Sequence, residues 1–185
     1  MFHINDIKNG MTFVLDDNIY LVLEFLHVKP GKGPAFVRTK IKNLKTGATI
    51  EKTFNTSVKL EKALIEKKDM QYLYNASDIY YFMDNETYEQ VEISKDKIEN
   101  ESNYLVENNN VELVFYKGEL IGVNLPEKIE VTIVSTEAAV KGNTATGAMK
   151  DALVNTGLTV KVPLFVGEGE TIIISSTDGK YLSRN

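Results

Sequence analysis

Ile19-Tyr-Leu-Val-Leu-Glu-Phe-Leu-His-Val-Lys-Pro-Gly-Lys-Gly-Pro-Ala-Phe-Val-Arg-Thr-Lys-Ile-Lys-Asn-Leu44 joins two strand-forming runs through a short break. In the break, Pro30, Gly31, Gly33 and Pro34 bracket one residue, Lys32, with Lys29 just before. Proline fixes φ and removes a donor, and glycine permits φ > 0. The stretch therefore reads as a β-hairpin whose tight, stiff loop carries Lys32 at its tip. A backbone already restricted in this way holds a long charged side chain outward at low entropic cost. A lysine in a Gly/Pro turn is ordinarily only solvated, so the loop alone speaks for a hairpin and not for a function.

Outward from the hairpin, the chain continues as β. Asn9-Gly10 is a turn before a short strand over residues 11–15, and Asp16-Asp17-Asn18 is a second turn. Lys45-Thr46-Gly47 ends the second long run, and a strand over residues 48–55 closes a small barrel-like module. Residues 56–62 fit either a short helix or a further strand. Strands follow over residues 70–74, 79–83 and 88–93. Ser94 reads as the N-cap of a short helix to about residue 105, with Ile98, Leu105 and Tyr104 on its buried face. Residues 111–116 and 119–123 form a hairpin across Lys117-Gly118. Leu125-Pro126-Glu127 marks a boundary, and a new β pattern covers residues 128–135, 158–165 and 171–175 before the turn Asp178-Gly179-Lys180-Tyr181. The expected class is all-β, in three small barrels over residues 1–64, 65–127 and 128–185, the last two OB-like.

Composition narrows the function classes. The 185 residues are 43% hydrophobic and 25% charged, which places the chain among folded globular proteins and not among disordered ones. There is no cysteine, so disulfides, thiolate metal sites and a cysteine nucleophile are excluded. The first residues are polar and no apolar run approaches the roughly 20 residues of a membrane span, so neither a signal peptide nor a membrane association is expected. The net charge of −5 is unevenly spread. Residues 1–64 carry 10 Lys/Arg against 6 Asp/Glu, residues 65–127 carry 5 against 14, and residues 128–185 carry 6 against 6. Within the first third, Arg38, Lys40 and Lys42 alternate along one strand and so share a face. That face serves either phosphate contact or plain solvation.

No catalytic constellation emerges. The only histidines are His3 and His27, and the chain holds no HExxH, GxSxG or P-loop pattern. Gly142-Asn-Thr-Ala-Thr-Gly147 lacks the spacing of a dinucleotide fingerprint. His27 reads as a packing or hydrogen-bonding residue of its strand rather than a catalyst. Tyr72, Tyr74, Tyr80 and Tyr81 fit either a base-stacking platform or core and sheet-surface packing, the latter favoured in so acidic a segment. The expectation is a protein that is not an enzyme, with no catalytic residue and no metal.

Three separated pieces, in order, resemble bacterial elongation factor P over essentially the whole chain. The first is residues 22–38, read through Val28-Lys-Pro-Gly-Lys-Gly-Pro-Ala-Phe-Val-Arg38, with Lys42-Asn-Leu-Lys-Thr-Gly47. The second is Met70-Gln-Tyr-Leu-Tyr-Asn75 with Tyr81-Phe-Met-Asp84 and Tyr88-Glu-Gln90. The third is Lys141-Gly-Asn-Thr-Ala-Thr-Gly147, Val160-Lys-Val-Pro-Leu-Phe165 and Gly179-Lys-Tyr-Leu-Ser-Arg184. The resemblance implies a KOW/SH3-like first domain and two OB-type domains in an L-shaped, tRNA-like arrangement. It implies a cytoplasmic monomer that binds the ribosome between the P and E sites and relieves stalling at consecutive prolines. Lys32 matches the family's modified tip lysine, held by Pro30, Gly31, Gly33 and Pro34, and its partners are then the P-site peptidyl-tRNA and a lysine-modifying enzyme. Lys29, Arg38, Lys40 and Lys42, with Tyr181 and Arg184, become candidates for tRNA or rRNA contact, although Tyr181 and Arg184 fit simple packing equally well. No cofactor is implied beyond a covalent group on Lys32. Pro34 resembles the subgroup that carries a 5-aminopentanol group, with the β-lysyl type as the alternative. The chain departs from the family pattern at Leu26, at Asn75-Ala-Ser-Asp78 and over residues 149–155. The rival reading is a general single-stranded nucleic-acid-binding OB protein acting off the ribosome, whose binding would be salt-sensitive and indifferent to Lys32. A structural protein with no ribosome association is a second rival.

Overall fold

The computed structural model describes residues 1–138 and 148–185. The segment Lys141-Gly-Asn-Thr-Ala-Thr-Gly147 singled out above lies outside the described residues. The chain is built from three sheets. Strands β1 (Phe2–His3), β2 (Thr12–Leu15), β3 (Asn18–Val28), β4 (Phe36–Asn43), β5 (Thr49–Asn55) and β6 (Lys59–Lys62) form the first, in the order β1-β6-β2-β3-β4-β5. Strands β7 (Ile65–Ala76), β8 (Ile79–Asp84), β9 (Gln90–Ser94), β10 (Asn110–Tyr116) and β11 (Glu119–Asn124) form the second, ordered β11-β10-β7-β8-β9. Strands β12 (Lys128–Thr136), β13 (Met149–Val154), β14 (Thr159–Pro163), β15 (Thr171–Ser175) and β16 (Tyr181–Arg184) form the third, ordered β14-β13-β12-β15-β16. This is the all-β, three-sheet architecture expected. The open choice over residues 56–62 resolves as strand β6, which pairs with both β1 and β2.

The expected helix after Ser94 does not form. Two short 3-10 turns, Lys95–Lys97 and Glu101–Tyr104, stand in its place. The Ser94 hydroxyl donates to the Asp96 carboxylate and caps no backbone N–H. Ser and Asn are dense in this run and offer the backbone local alternatives to a helix. Ile98 and Leu105 are nevertheless buried, as their spacing required.

Contacts divide the chain into two compact units. One comprises residues 1–67 with 114–122. Its core packs Ile4, Phe13, Val22, Val37, Ile41 and Phe54, with the Phe13 ring edge-on to Phe54 at 6.2 Å and stacked on Tyr20 at 5.8 Å. A second cluster of Ile19, Ala63, Val114 and Ile121 lies in the same unit. The other unit comprises residues 68–113 with 123–185. In it, the core of the third sheet takes in Tyr104 from the second 3-10 turn alongside Ile129, Val131, Val162 and Ile172. Among the described residues no helix is long and apolar enough to cross a membrane.

Each sheet carries a one-residue irregularity on a long strand. On β3, Val22 faces Ile41 but Glu24 faces Lys40, so Leu23 is the extra residue. On β7, Leu73 is extra between Tyr72 and Tyr74, and on β12 Val134 is extra between Ile133 and Ser135. A bulge of this kind reverses which alternate residues point inward beyond it.

Candidate functional site

Strands β3 and β4 pair from Tyr20–Asn43 out to Val28–Phe36, with the one shift at Leu23, and the ladder stops there. The loop of residues 29–35 projects beyond it. Lys29, Gly31, Lys32, Gly33 and Pro34 are exposed, and Pro30 and Ala35 are half-buried at its base. Gly33 has φ +101°, while Gly31 is not in the left-handed region. Only Gly33 therefore uses the freedom that both glycines offered in the sequence. Among the described residues, Lys32 has no ion-pair partner.

Below the loop, strand β4 alternates as its sequence requires. Val37, Thr39 and Ile41 are buried, and Arg38, Lys40 and Lys42 are exposed on the other face. Thr39 is tolerated inside because its hydroxyl donates to the Lys52 carbonyl at 2.7 Å. The far end of the hairpin is pinned by Asn43, whose carboxamide oxygen accepts the backbone N–H groups of Lys45 and Thr46 at 2.9 and 3.2 Å.

The structure refines the basic face. Because of the bulge at Leu23, Glu24 lies across from Lys40 on β3, and Glu51 lies across from it on β5. Lys40 is thus flanked by two carboxylates, while Arg38 faces Leu26 and Thr53, and Lys42 faces Leu21 and Thr49. Arg38 and Lys42 have no carboxylate directly across from them. Sequence reading missed Glu24, because plain alternation puts it on the inner face with Val22. The same bulge turns Phe25 inward onto the core. His27 is exposed, and its ring meets Phe25 edge-on at 5.5 Å.

The C-terminal candidates are a separate set on the third sheet. Tyr181 is half-buried against that core, across from Ile174. Arg184 forms an ion pair with Glu170 and lies over the Phe165 ring at 5.0 Å. The Gly167 backbone N–H, and then Arg184, hold the Glu170 carboxyl below its usual range. Arg184 is therefore already engaged within its own sheet, unlike Lys32. Among the described residues no group of three or more His, Asp or Glu side chains is placed to hold a metal.

The tyrosines separate cleanly. Tyr72 and Tyr80 are buried, with ring centroids 5.7 Å apart, and the Tyr72 hydroxyl donates to Asn75 at 3.1 Å. Burial pushes the Tyr72 hydroxyl well above the ordinary phenol range. Tyr74 and Tyr81 stack on the opposite face of the sheet, 4.7 Å apart. Without the bulge at Leu73, Tyr72 and Tyr74 would share a face.

Comparison with known proteins agrees with this geometry. Three family models match in order: "Elongation factor P (EF-P) KOW-like domain" over residues 3–60, "Elongation factor P (EF-P) OB domain" over residues 65–123, and "Elongation factor P, C-terminal" over residues 129–184. The chain is 54% identical over 184 residues to an elongation factor P of Acetivibrio thermocellus, covering 100% of both chains. Among solved structures, a translation initiation factor eif-5a family protein from Naegleria fowleri aligns with a TM-score of 0.51 at 18% identity, covering 67% of this chain and 96% of that one. The eukaryotic translation initiation factor 5A from Methanococcus jannaschii aligns with a TM-score of 0.49 at 26% identity, over 65% and 91%. The Naegleria likeness bears on the fold alone.

Proposed function

The chain belongs to the elongation factor P family and is a translation elongation factor, and from that premise we propose that it acts on the ribosome through Lys32. In this reading it binds between the P and E sites, in the cytoplasm, and stimulates peptide-bond formation chiefly at consecutive prolines. The observation that carries it is the placement of Lys32. The side chain is exposed and has no ion-pair partner among the described residues, at the tip of a loop restricted by Pro30 and Pro34 and turned at Gly33, beyond the end of the β3–β4 ladder. Such a tip delivers one long cationic chain to a distant target with little conformational entropy left to lose. The target is the end of the P-site peptidyl-tRNA. Arg38 and Lys42, with Lys29, contact its phosphates, and Lys40 contributes less because Glu24 and Glu51 flank it.

The mechanism is positional. Proline reacts slowly because its ring limits how donor and acceptor align, and a fixed tRNA end restores the alignment without acid–base chemistry. An orientation gain of about 3 kcal/mol corresponds to roughly a hundredfold in rate. A covalent extension of Lys32 adds reach and hydrogen-bonding groups. A lysine-modifying enzyme would attach it, and Pro34 favours the 5-aminopentanol type over the β-lysyl type.

Two measurements test this. The mass of the Lys32 peptide from natively expressed protein reads the modification directly, and its adduct mass distinguishes the two types. Synthesis of a Pro-Pro-Pro message with Lys32→Ala reads the function. The expected result is loss of most of the stimulation with the fold retained. Stimulation equal to that of the parent protein overturns the reading.

A further inference from the structure

The outer face of the second sheet carries an exposed aromatic and acidic patch that the proposed function does not use. Tyr74 and Tyr81 stack there with centroids 4.7 Å apart and ring planes 22° from parallel. Tyr74 is 47% exposed. Glu92 of the edge strand β9 is exposed and lies directly across from Tyr81. Ile79 and Met83 alternate with the buried Tyr80 and Phe82, so they share the outer face with Tyr81. Gln90 lies across from Met83.

We propose that this face docks a basic protein segment, with an arginine or lysine side chain seated over the Tyr74–Tyr81 pair and paired with Glu92. The inference rests on the ribosomal reading above for where the segment is found, on a protein of the ribosome. Tyr74 covers one face of Tyr81, and the other face lies on the β9 side, where a cation meets the negative π-face beside the Glu92 carboxylate. Charge decides between occupants. Among the described residues the patch holds no Lys or Arg, and residues 65–127 carry 14 acidic against 5 basic side chains. A nucleic-acid strand stacking its bases on these rings would bring phosphates to a surface with no counter-charge. A basic segment meets the charge it needs.

The test uses the full chain on purified ribosomes carrying peptidyl-tRNA. A photo-reactive benzoylphenylalanine at position 74 reports what lies over the rings, and Glu92→Lys reports the sign of the partner's charge. The expected result is a crosslink to a ribosomal protein within a few residues of a lysine or arginine, and ribosome affinity about fivefold weaker for Glu92→Lys. A crosslink to rRNA or tRNA, or affinity unchanged or tighter for Glu92→Lys, overturns the proposal. So does the absence of any crosslink while the protein still co-sediments. Co-sedimentation and the Lys32→Ala assay report on the ribosomal reading itself, so a failure there is told apart from a failure of this surface.

Discussion

At the scale of single residues, Gly31 and Gly33 look equivalent in sequence and are not. Gly33 sits at φ +101°, where an L side chain is strained whatever the space around it, and a Cβ there meets no neighbour. Gly33→Ala therefore acts through the backbone alone. We expect it to lower stability by about 1 kcal/mol and to move the loop tip, with Pro-Pro-Pro stimulation reduced. Gly31→Ala, at a position outside the left-handed region and equally open, is expected to leave stability unchanged or slightly raised. Denaturant midpoints of the two variants decide it, and equal losses would show that Gly33 relaxes freely. The alternation of Arg38, Lys40 and Lys42 was legible from spacing, because a strand's period of two needs no tertiary information. The flanking of Lys40 by Glu24 and Glu51 was not, because it depends on which residues two other strands bring alongside.

At the scale of elements, the bulges decide which face each long strand shows. In the run Leu21-Val-Leu-Glu-Phe-Leu26 both alternating sets are mainly apolar, Glu24 aside, so the pattern does not reveal the extra residue at Leu23. Deleting Leu23 takes out the extra residue and leaves Glu24 across from Lys40 and Phe25 across from Thr39. Both faces keep their directions, so we expect the deletion to preserve cooperative unfolding of the unit that contains residues 1–67. Hydrogen-exchange protection in β3 and β4 like that of the parent checks this, and its loss would show that the bend at the bulge is itself needed by the sheet. The helix expected after Ser94 failed for a related reason. The burial of Ile98 and Leu105 was readable, but the local hydrogen bonds that favoured 3-10 turns over a continuous helix were not.

At the scale of the whole molecule, Tyr104 shows how sequence neighbourhood and core membership diverge. It stands in the 3-10 turn that follows the strands β7–β9, yet it is buried among Ile129, Val131 and Ile172 of the third sheet. A Cβ added at Gly179 would lie 3.2 Å from the Tyr104 hydroxyl oxygen, which marks how closely the turn before β16 approaches it. Removing such a ring leaves a cavity, and Tyr104→Ala is expected to cost about 3–5 kcal/mol. The loss should appear as reduced hydrogen-exchange protection in β12 and β15 as well as around residue 104. Changes confined to the 3-10 turn would show that the two regions unfold separately.

By itself, the sequence determined the all-β class, the hairpin with Lys32 at its tip, the basic face of β4 and the family. Each of these rests on local chemistry: proline and glycine restrict a turn, alternation assigns faces, and motif order carries kinship. Only the tertiary structure decided which basic residues lie directly across from carboxylates, which tyrosines are buried and which stack in the open, and which core claims Tyr104. Those outcomes depend on contacts between residues far apart in the chain, and on single extra residues that reverse a strand's faces while leaving its composition unchanged.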